Sequence, residues 1–228
     1  MADIGWGWLS QVEAFGRLGD DAKDFVQIDY EESMTKFADY KHAAHGMIFA
    51  RSGRVLWDIY KLKGAVMMQM RFDGVLGFPG GLVEAGEDPA DGLNREMQEE
   101  IGLNVEVHKF TAAHHVQTCL NEKKKLLTHF FAMEVTLEKF SALEANVLQA
   151  PEYGIETFGI VRVPLFTMGD GLRGLPAFLT NQFAGNARTQ LLFGLQYMQL
   201  LTAEELQEVV QSSNKYLAQK QGMLRSDL

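Results

Sequence analysis

The chain has 228 residues, enough for one large domain or one domain with extensions, and its 46% hydrophobic and 22% charged residues are the mix of a globule with a sizeable core. A net charge of −9 speaks against a general nucleic-acid coat, which must neutralise many phosphates, though not against an enzyme that grips one polyphosphate through metal. The single cysteine, Cys119, excludes an internal disulfide; no apolar run reaches bilayer length, and MADIGWGWLSQVEAFG lacks a signal-peptide pattern, so a soluble intracellular protein without membrane insertion is expected.

Residues 1–39 carry acidic clusters (Asp20, Asp21, Asp24; Asp29, Glu31, Glu32) and read as a partly ordered extension. The first clear strand is His42 to Arg51, and after a polar stretch holding Gly53 and Gly64 comes a buried strand, Ala65 to Phe72. Asp73-Gly74 signals a hairpin turn, with Val75 to Phe78 returning and Pro79-Gly80-Gly81 as a forced loop. Asp88 is placed to cap a helix that has Pro89 at its first position, runs to Ile101 and stops at Gly102.

Strands are expected near Asn104–Phe110, Ala112–Cys119 and Leu126–Val135, with Asn121 to Lys125 joining the last two. Thr136 to Val147 reads as a helix with Leu137, Phe140 and Leu143 on one face, and Thr157 to Val163 as a strand ended by Pro164. The stretch from Asp170 to Pro176 is a glycine-rich loop. Ala184–Leu201 and Thr202–Gln219 read as helices, the second opened by a Thr202/Glu205 capping box and frayed beyond Gln219. Strands first and helices later point to an α/β or α+β sandwich.

Residues 81–103, GLVEAGEDPADGLNREMQEEIGL, carry the chemistry. On a helix Glu96, Glu99 and Glu100 share one face, because three- and four-residue steps match its 3.6-residue turn. Such a face repels itself, and Arg95 offsets only part of it. Hard cations held by oxygen ligands are the natural complement, and magnesium binds through a few carboxylates plus substrate phosphates. A bound metal acidifies its water and neutralises charge on a departing phosphate. The Pro79-Gly80-Gly81 turn lets backbone approach a ligand that side chains would obstruct. A solvated acidic face would instead be expected to alternate its charges.

The spacing is Gly81, five residues, Glu87, seven residues, Arg95-Glu96-Met97, one residue, Glu99-Glu100, one residue, Gly102-Leu103. This resembles the Nudix box, the signature of the Nudix hydrolases, at every defined position. The segments MQMRFDG, LGFPGG, DGLNRE, VRVPLFTMGDGLRGLPAFL and NQFAGNARTQLL narrow the resemblance to one branch of that family. Its members decap small nucleolar RNA in animal nuclei and are also described as inosine diphosphatases.

The resemblance implies a Nudix α/β/α sandwich with a mixed sheet, spanning residues 40–201, with extra C-terminal helices at 202–228. It implies Mg2+ or Mn2+ as cofactor, a nucleotide or capped RNA as substrate, a nuclear location and a homodimer. Glu96, Glu99 and Glu100 would be metal ligands or base, the base being Glu99 or a neighbour; Arg95 would orient a glutamate and Glu87 brace the loop. The backbone of Gly80 and the side chain of His115 would also reach metal. His45 and Phe78 would contact the nucleobase, Arg71 the phosphate or base, and Gln190 the substrate from the late helix.

Two departures stand out. Where the family carries an acidic residue three positions after Gln190, this chain has Phe193, which puts an outer metal site in doubt. The stretch QLLFGLQYMQLLTAEEL is closer to the non-catalytic, syndesmos-like branch, which has lost box glutamates that this chain keeps. An ADP-ribose or dinucleotide pyrophosphatase and a binding module of the syndesmos kind are the rival readings. The run Lys123-Lys124-Lys125 reads as a solvated hairpin tip, with a contact to the RNA strand beyond a cap as the weaker alternative. Leu191, Leu192, Leu195 and Met198 suit a dimer face or a core equally.

Overall fold

A computed structural model describes residues 20–226; what the sequence suggests of the first nineteen residues lies outside it. Ten strands and six α-helices follow in the described chain: β1 (Val26–Ile28), α1 (Tyr30–Lys36), β2 (Lys41–Arg51), β3 (Val55–Leu56), β4 (Tyr60–Lys61), β5 (Gly64–Arg71), β6 (Leu76–Gly77), β7 (Gly80–Leu82), α2 (Pro89–Ile101), β8 (His115–Asn121), β9 (Leu126–Glu134), α3 (Leu137–Asn146), β10 (Thr157–Arg162), α4 (Leu175–Phe178), α5 (Ala187–Tyr197) and α6 (Ala203–Ser226). The main sheet runs β1-β8-β9-β2-β5-β10, with β6 paired to β5 and β7 to β2. It is mixed: β2 and β9 are parallel, and the other main-sheet pairs are antiparallel.

Alternation along β2 sends its side chains to two cores. Ala44, Ile48 and Ala50 join Leu93, Met97 and Ile101 of α2 and Phe140 and Leu143 of α3. Met47 and Phe49 join Leu191 and Leu195 of α5 and Leu206 and Val209 of α6. The result is an α/β/α sandwich. Leu192 and Met198 also pack against the second core, so the four positions singled out in the sequence, Leu191, Leu192, Leu195 and Met198, pack within this chain. A methyl group on Gly46 would meet Met97 Cε at 2.2 Å, so α2 lies close against the sheet there.

The caps expected for α2 are present: Asp88 accepts the Ala90 N–H at 2.8 Å, Pro89 is the first helical residue, and Gly102 ends the helix at φ 66°. Thr136 caps α3, and the Thr202/Glu205 box opens α6, whose backbone continues past Gln219 to Ser226.

Other expectations need correction. Pro79-Gly80-Gly81 is no free loop, since Gly80–Leu82 pairs with Ala43–His45 of β2. Asn104–Phe110 forms turns: Asn104 draws the N–H groups of Glu106, Val107 and His108, and Asn94 of α2 takes both backbone groups of Phe110. Ala112–His114 is a single 3-10 turn, so β8 begins at His115. The segment ending at Pro176 runs into α4, which begins at Leu175, and α5 begins at Ala187 rather than Ala184. The polar stretch after Arg51 forms the β3–β4 hairpin, with Trp57 and Asp58 both at positive φ in its turn.

Candidate active site

β2 is held by different neighbours along one edge. β7 pairs with Ala43–His45, whereas β5 pairs with Phe49–Arg51. Where the two diverge, α2 presents its acidic face to the gap. Glu100 is 3% exposed; its Oε2 accepts the Gly80 N–H at 2.6 Å and its Oε1 accepts from Gln69 Nε2 at 2.8 Å. Burial outweighs both bonds and pushes its carboxyl pKa up to about 7, with Glu96 nearby pushing the same way.

Glu96 is also largely buried, and burial raises its pKa against the lowering influence of Arg95. A methyl group on Gly81 would sit 2.7 Å from the Glu96 carboxylate, so glycine is what admits that side chain. Glu99 faces solvent with 42% of its side chain exposed.

Arg95 stands in the middle of the cluster. Nη1 donates to Glu96 Oε1 at 2.8 Å and to Glu99 Oε2 at 3.3 Å. Nη2 donates to the Leu82 carbonyl at 3.0 Å and to Glu87 Oε2 at 3.3 Å. Glu87 Oε2 in turn accepts the Glu84 N–H at 3.0 Å, tying the loop before α2 to the same guanidinium. Burial works against its charge, but the hydrogen bonds and charges of Glu87 and Glu96 together outweigh it and raise the arginine pKa, so it stays charged.

On the α5 side of the sheet the gap opens into a cavity of about 160 Å³. Its lining includes His45, Arg71, Phe78, Gly80, Gly81 and Gln190. His45 is partly buried, and burial, then the positive charge of Arg71, lowers its pKa to about 4, so the ring is neutral. Its Nδ1 and the Nε2 of Gln190 are buried without a hydrogen-bond partner in the protein. Such atoms are costly unless a ligand satisfies them. Phe78 is buried and tilted against Phe130 at 5.0 Å, and Arg71 is held by Asp73 at 3.1 Å.

The structure therefore brings together Glu96, Glu99, Glu100, Arg95 and Gly80 around the gap, with His45, Arg71, Phe78 and Gln190 at the cavity beside it. His115 lies elsewhere. It sits on β8, separated from β2 by β9, and belongs to a relay of rings in which His129 is buried and His42 and His115 are half-buried. His42 Nε2 meets the Phe37 carbonyl at 3.1 Å and its Nδ1 meets His129 Nε2 at 2.9 Å; His129 Nδ1 meets Thr118 Oγ1 at 3.0 Å, which meets His115 Nε2 at 2.8 Å. Because a carbonyl only accepts, neutral rings have one consistent proton order, each donating toward Phe37. Burial and the neighbouring histidines lower the His129 pKa to about 3. Phe193 stacks on Tyr197 at 5.9 Å and lies outside the cavity lining.

Sequence reasoning passed over Gln69, whose amide holds Glu100, and Asn186, which lines the cavity and donates to Thr128 at 3.1 Å. Gln69 is a polar residue inside the apolar run AVMMQM, and that mismatch is the available signal.

The donor set suits a hard divalent cation: clustered carboxylate oxygens, with burial raising the pKa of both Glu96 and Glu100. In the arrangement described Arg95 holds oxygens of Glu96 and Glu99, and among the described residues no three acidic, histidine or cysteine side chains already converge on one point. Among the same residues no helix is long and apolar enough to cross a membrane.

Residues 42–201 match the Nudt16-like family, described as U8 snoRNA-decapping enzyme-like. The chain is 44% identical to the U8 snoRNA-decapping enzyme of Homalodisca vitripennis over 179 residues, 78% of this chain and 95% of that one. It is 42% identical to the Mus musculus enzyme of the same name, over 77% of this chain and 90% of the other. It is also 36% identical to the Tudor-interacting repair regulator protein of Mus musculus, over 84% and 90%. Hydrolases with the Nudix fold generally use divalent metals, and the box glutamates are intact here. The chain is thus a Nudix hydrolase and belongs to the Nudt16-like family.

Proposed function

We propose that this chain hydrolyses phosphoanhydride bonds in inosine diphosphate-type nucleotides and in the 5′ cap of RNA, with Mg2+ or Mn2+ held by Glu96 and Glu100. The observation that carries the reading is the meeting, at one gap in the sheet, of a buried acidic face and a cavity with unpaired polar atoms. A divalent cation there would supply positive charge against the phosphates and acidify a water.

The chain's own groups divide the remaining tasks. His45 and Gln190 offer hydrogen bonds to a base held beside Phe78, and Arg71 offers a guanidinium to phosphate. Glu99, the solvent-facing glutamate, takes the proton of the attacking water. The water oxygen bonds to phosphorus, the anhydride P–O bond breaks, and its electron pair leaves on the departing phosphate. Arg95 orients Glu96 and Glu99 and keeps Glu87 braced against the loop.

Product analysis with labelled inosine diphosphate and a capped RNA tests this. Release of inosine monophosphate and of 5′-monophosphate RNA by the wild type, lost in Glu99→Gln and Glu100→Gln with folding intact, is expected. Preferential turnover of ADP-ribose would favour a dinucleotide pyrophosphatase. Nuclear residence belongs to the same proposal and is tested by imaging the tagged chain.

A further inference from the structure

The family match begins at residue 42, yet part of the cavity wall comes from before it. β1 lies antiparallel to β8, pairing Val26 with Leu120, and this sets Phe25 against the cavity. A methyl group on Gly185, in the turn before α5, would lie 4.0 Å from Phe25 Cζ, so the ring reaches that turn. Lys123 Nζ binds Asp24 Oδ1 at 2.8 Å and ties the segment to the β8–β9 turn. The next residue of that turn, Lys124, lines the cavity together with Phe25 and Leu126. The run of lysines is therefore more than a solvated tip.

The two ends of the cavity differ. His45 pairs with Phe130, whereas Leu126 pairs with Lys41, four residues away along the same strands; at about 3.3 Å per residue the separation is roughly 13 Å. A group with its inner edge at His45 and Gln190 has its outer edge toward Phe25 and Lys124.

Resting on the proposed reading of this cavity as a nucleotide site, we infer that Phe25 and Lys124 complete it and help to set its base specificity. The Phe25 ring closes the outer end against the planar base. The Lys124 ammonium, which only donates, selects a base edge of acceptors, so a 6-oxopurine is preferred to a 6-aminopurine. Both are specificity-determining residues contributed by this chain's N-terminal strand and by the turn beside it.

Steady-state kinetics of the full chain with inosine and adenosine diphosphates, which differ at position 6 of the base, provide the test. Lys124→Met is expected to raise KM for inosine diphosphate roughly tenfold to a hundredfold, the size of one hydrogen bond to a charged group, with kcat within about twofold. KM for adenosine diphosphate stays unchanged, so the preference shrinks. Phe25→Ala raises KM for both. Lys139→Met, an exposed lysine on α3, controls for net charge and changes neither. Unchanged KM in both cavity variants overturns the inference, as does an equal effect of Lys139→Met. Calorimetric binding of inosine monophosphate makes the same comparison without turnover. A wild type that binds it, needs Lys124 for binding, yet leaves inosine diphosphate and capped RNA intact would refute the proposed activity and keep this inference; a wild type that hydrolyses inosine diphosphate but shows no dependence of binding or KM on Lys124 would overturn this inference alone.

Discussion

The Oε2 atom of Glu100 accepts the backbone N–H of Gly80 at 2.6 Å, and that bond joins α2 to the strand flanking the cavity. It also holds a carboxylate where burial opposes its charge. A position that is costly for the empty protein is the position a cation would relieve.

The first prediction follows from that conflict. The Glu100 pKa rises from 4.5 to about 7 on folding, so between those values the unfolded chain has given up a proton that the folded chain keeps. Stability then falls as pH rises from about 4.5 to 7 and stays lower above it. Glu100→Gln removes this loss, and Gln69, whose Oε1 has no partner, can turn its amide to accept from the new side chain. Metal-free Glu100→Gln is expected to be more stable than wild type by about 1–3 kcal/mol at pH 8 while losing turnover. Urea denaturation at pH 5 and pH 8 checks both the sign and the slope.

Arg95 links four acceptors, Glu87, Glu96, Glu99 and the Leu82 carbonyl. Arg95→Met leaves the carboxylates facing one another and should cost roughly 1–3 kcal/mol of stability. Added Mn2+ should recover part of that loss in thermal melts, because a cation replaces the missing charge.

Gly80 and Gly81 are adjacent but should fail differently. A methyl group on Gly80 would lie 2.1 Å from the Ala44 carbonyl, at φ 129°, so Gly80→Ala strains backbone against backbone. A loss of about 3 kcal/mol or more is expected. Gly81→Ala meets the end of a movable side chain, Glu96, instead. It should fold with a modest change in Tm yet lose most of its turnover, because the carboxylate is displaced.

His129 has the opposite pH sign to Glu100. Its folded pKa, near 3, lies below the ordinary 6.5, so the unfolded state binds the proton first. Its contribution is present above pH 6.5 and is lost as pH falls toward 3. His129→Leu should be less stable at pH 8 by roughly 2–4 kcal/mol, since His42 and Thr118 lose a buried partner. Its stability should also fall less steeply with acid, as denaturant titrations across pH 4–7 would show.

Local chemistry explains which parts could be read from the sequence. Asp88, Pro89 and Gly102 mark α2 because capping and left-handed termination depend on neighbouring residues alone. The same holds for the facial grouping of the glutamates. β7 was hidden because its pairing to β2 is long-range and its residues, Gly80–Leu82, look like a turn. The segment after Asn104 looked like a strand because Val105 and Val107 alternate with polar residues, but Asn94 and Asn104 captured its backbone. The placement of His115 in a histidine relay rests on contacts with β9 and with residues before β2, which spacing does not reveal. The part played by Phe25 in the cavity likewise depends on an edge strand of three residues.

The most direct measurement is product analysis after incubation with labelled inosine diphosphate or capped RNA and Mg2+ or Mn2+, wild type beside Glu99→Gln. Hydrolysis by the wild type that requires added metal and disappears in the variant is the expected result. An absence of hydrolysis with either metal, or undiminished hydrolysis by the folded variant, would contradict the role given to the acidic face of α2.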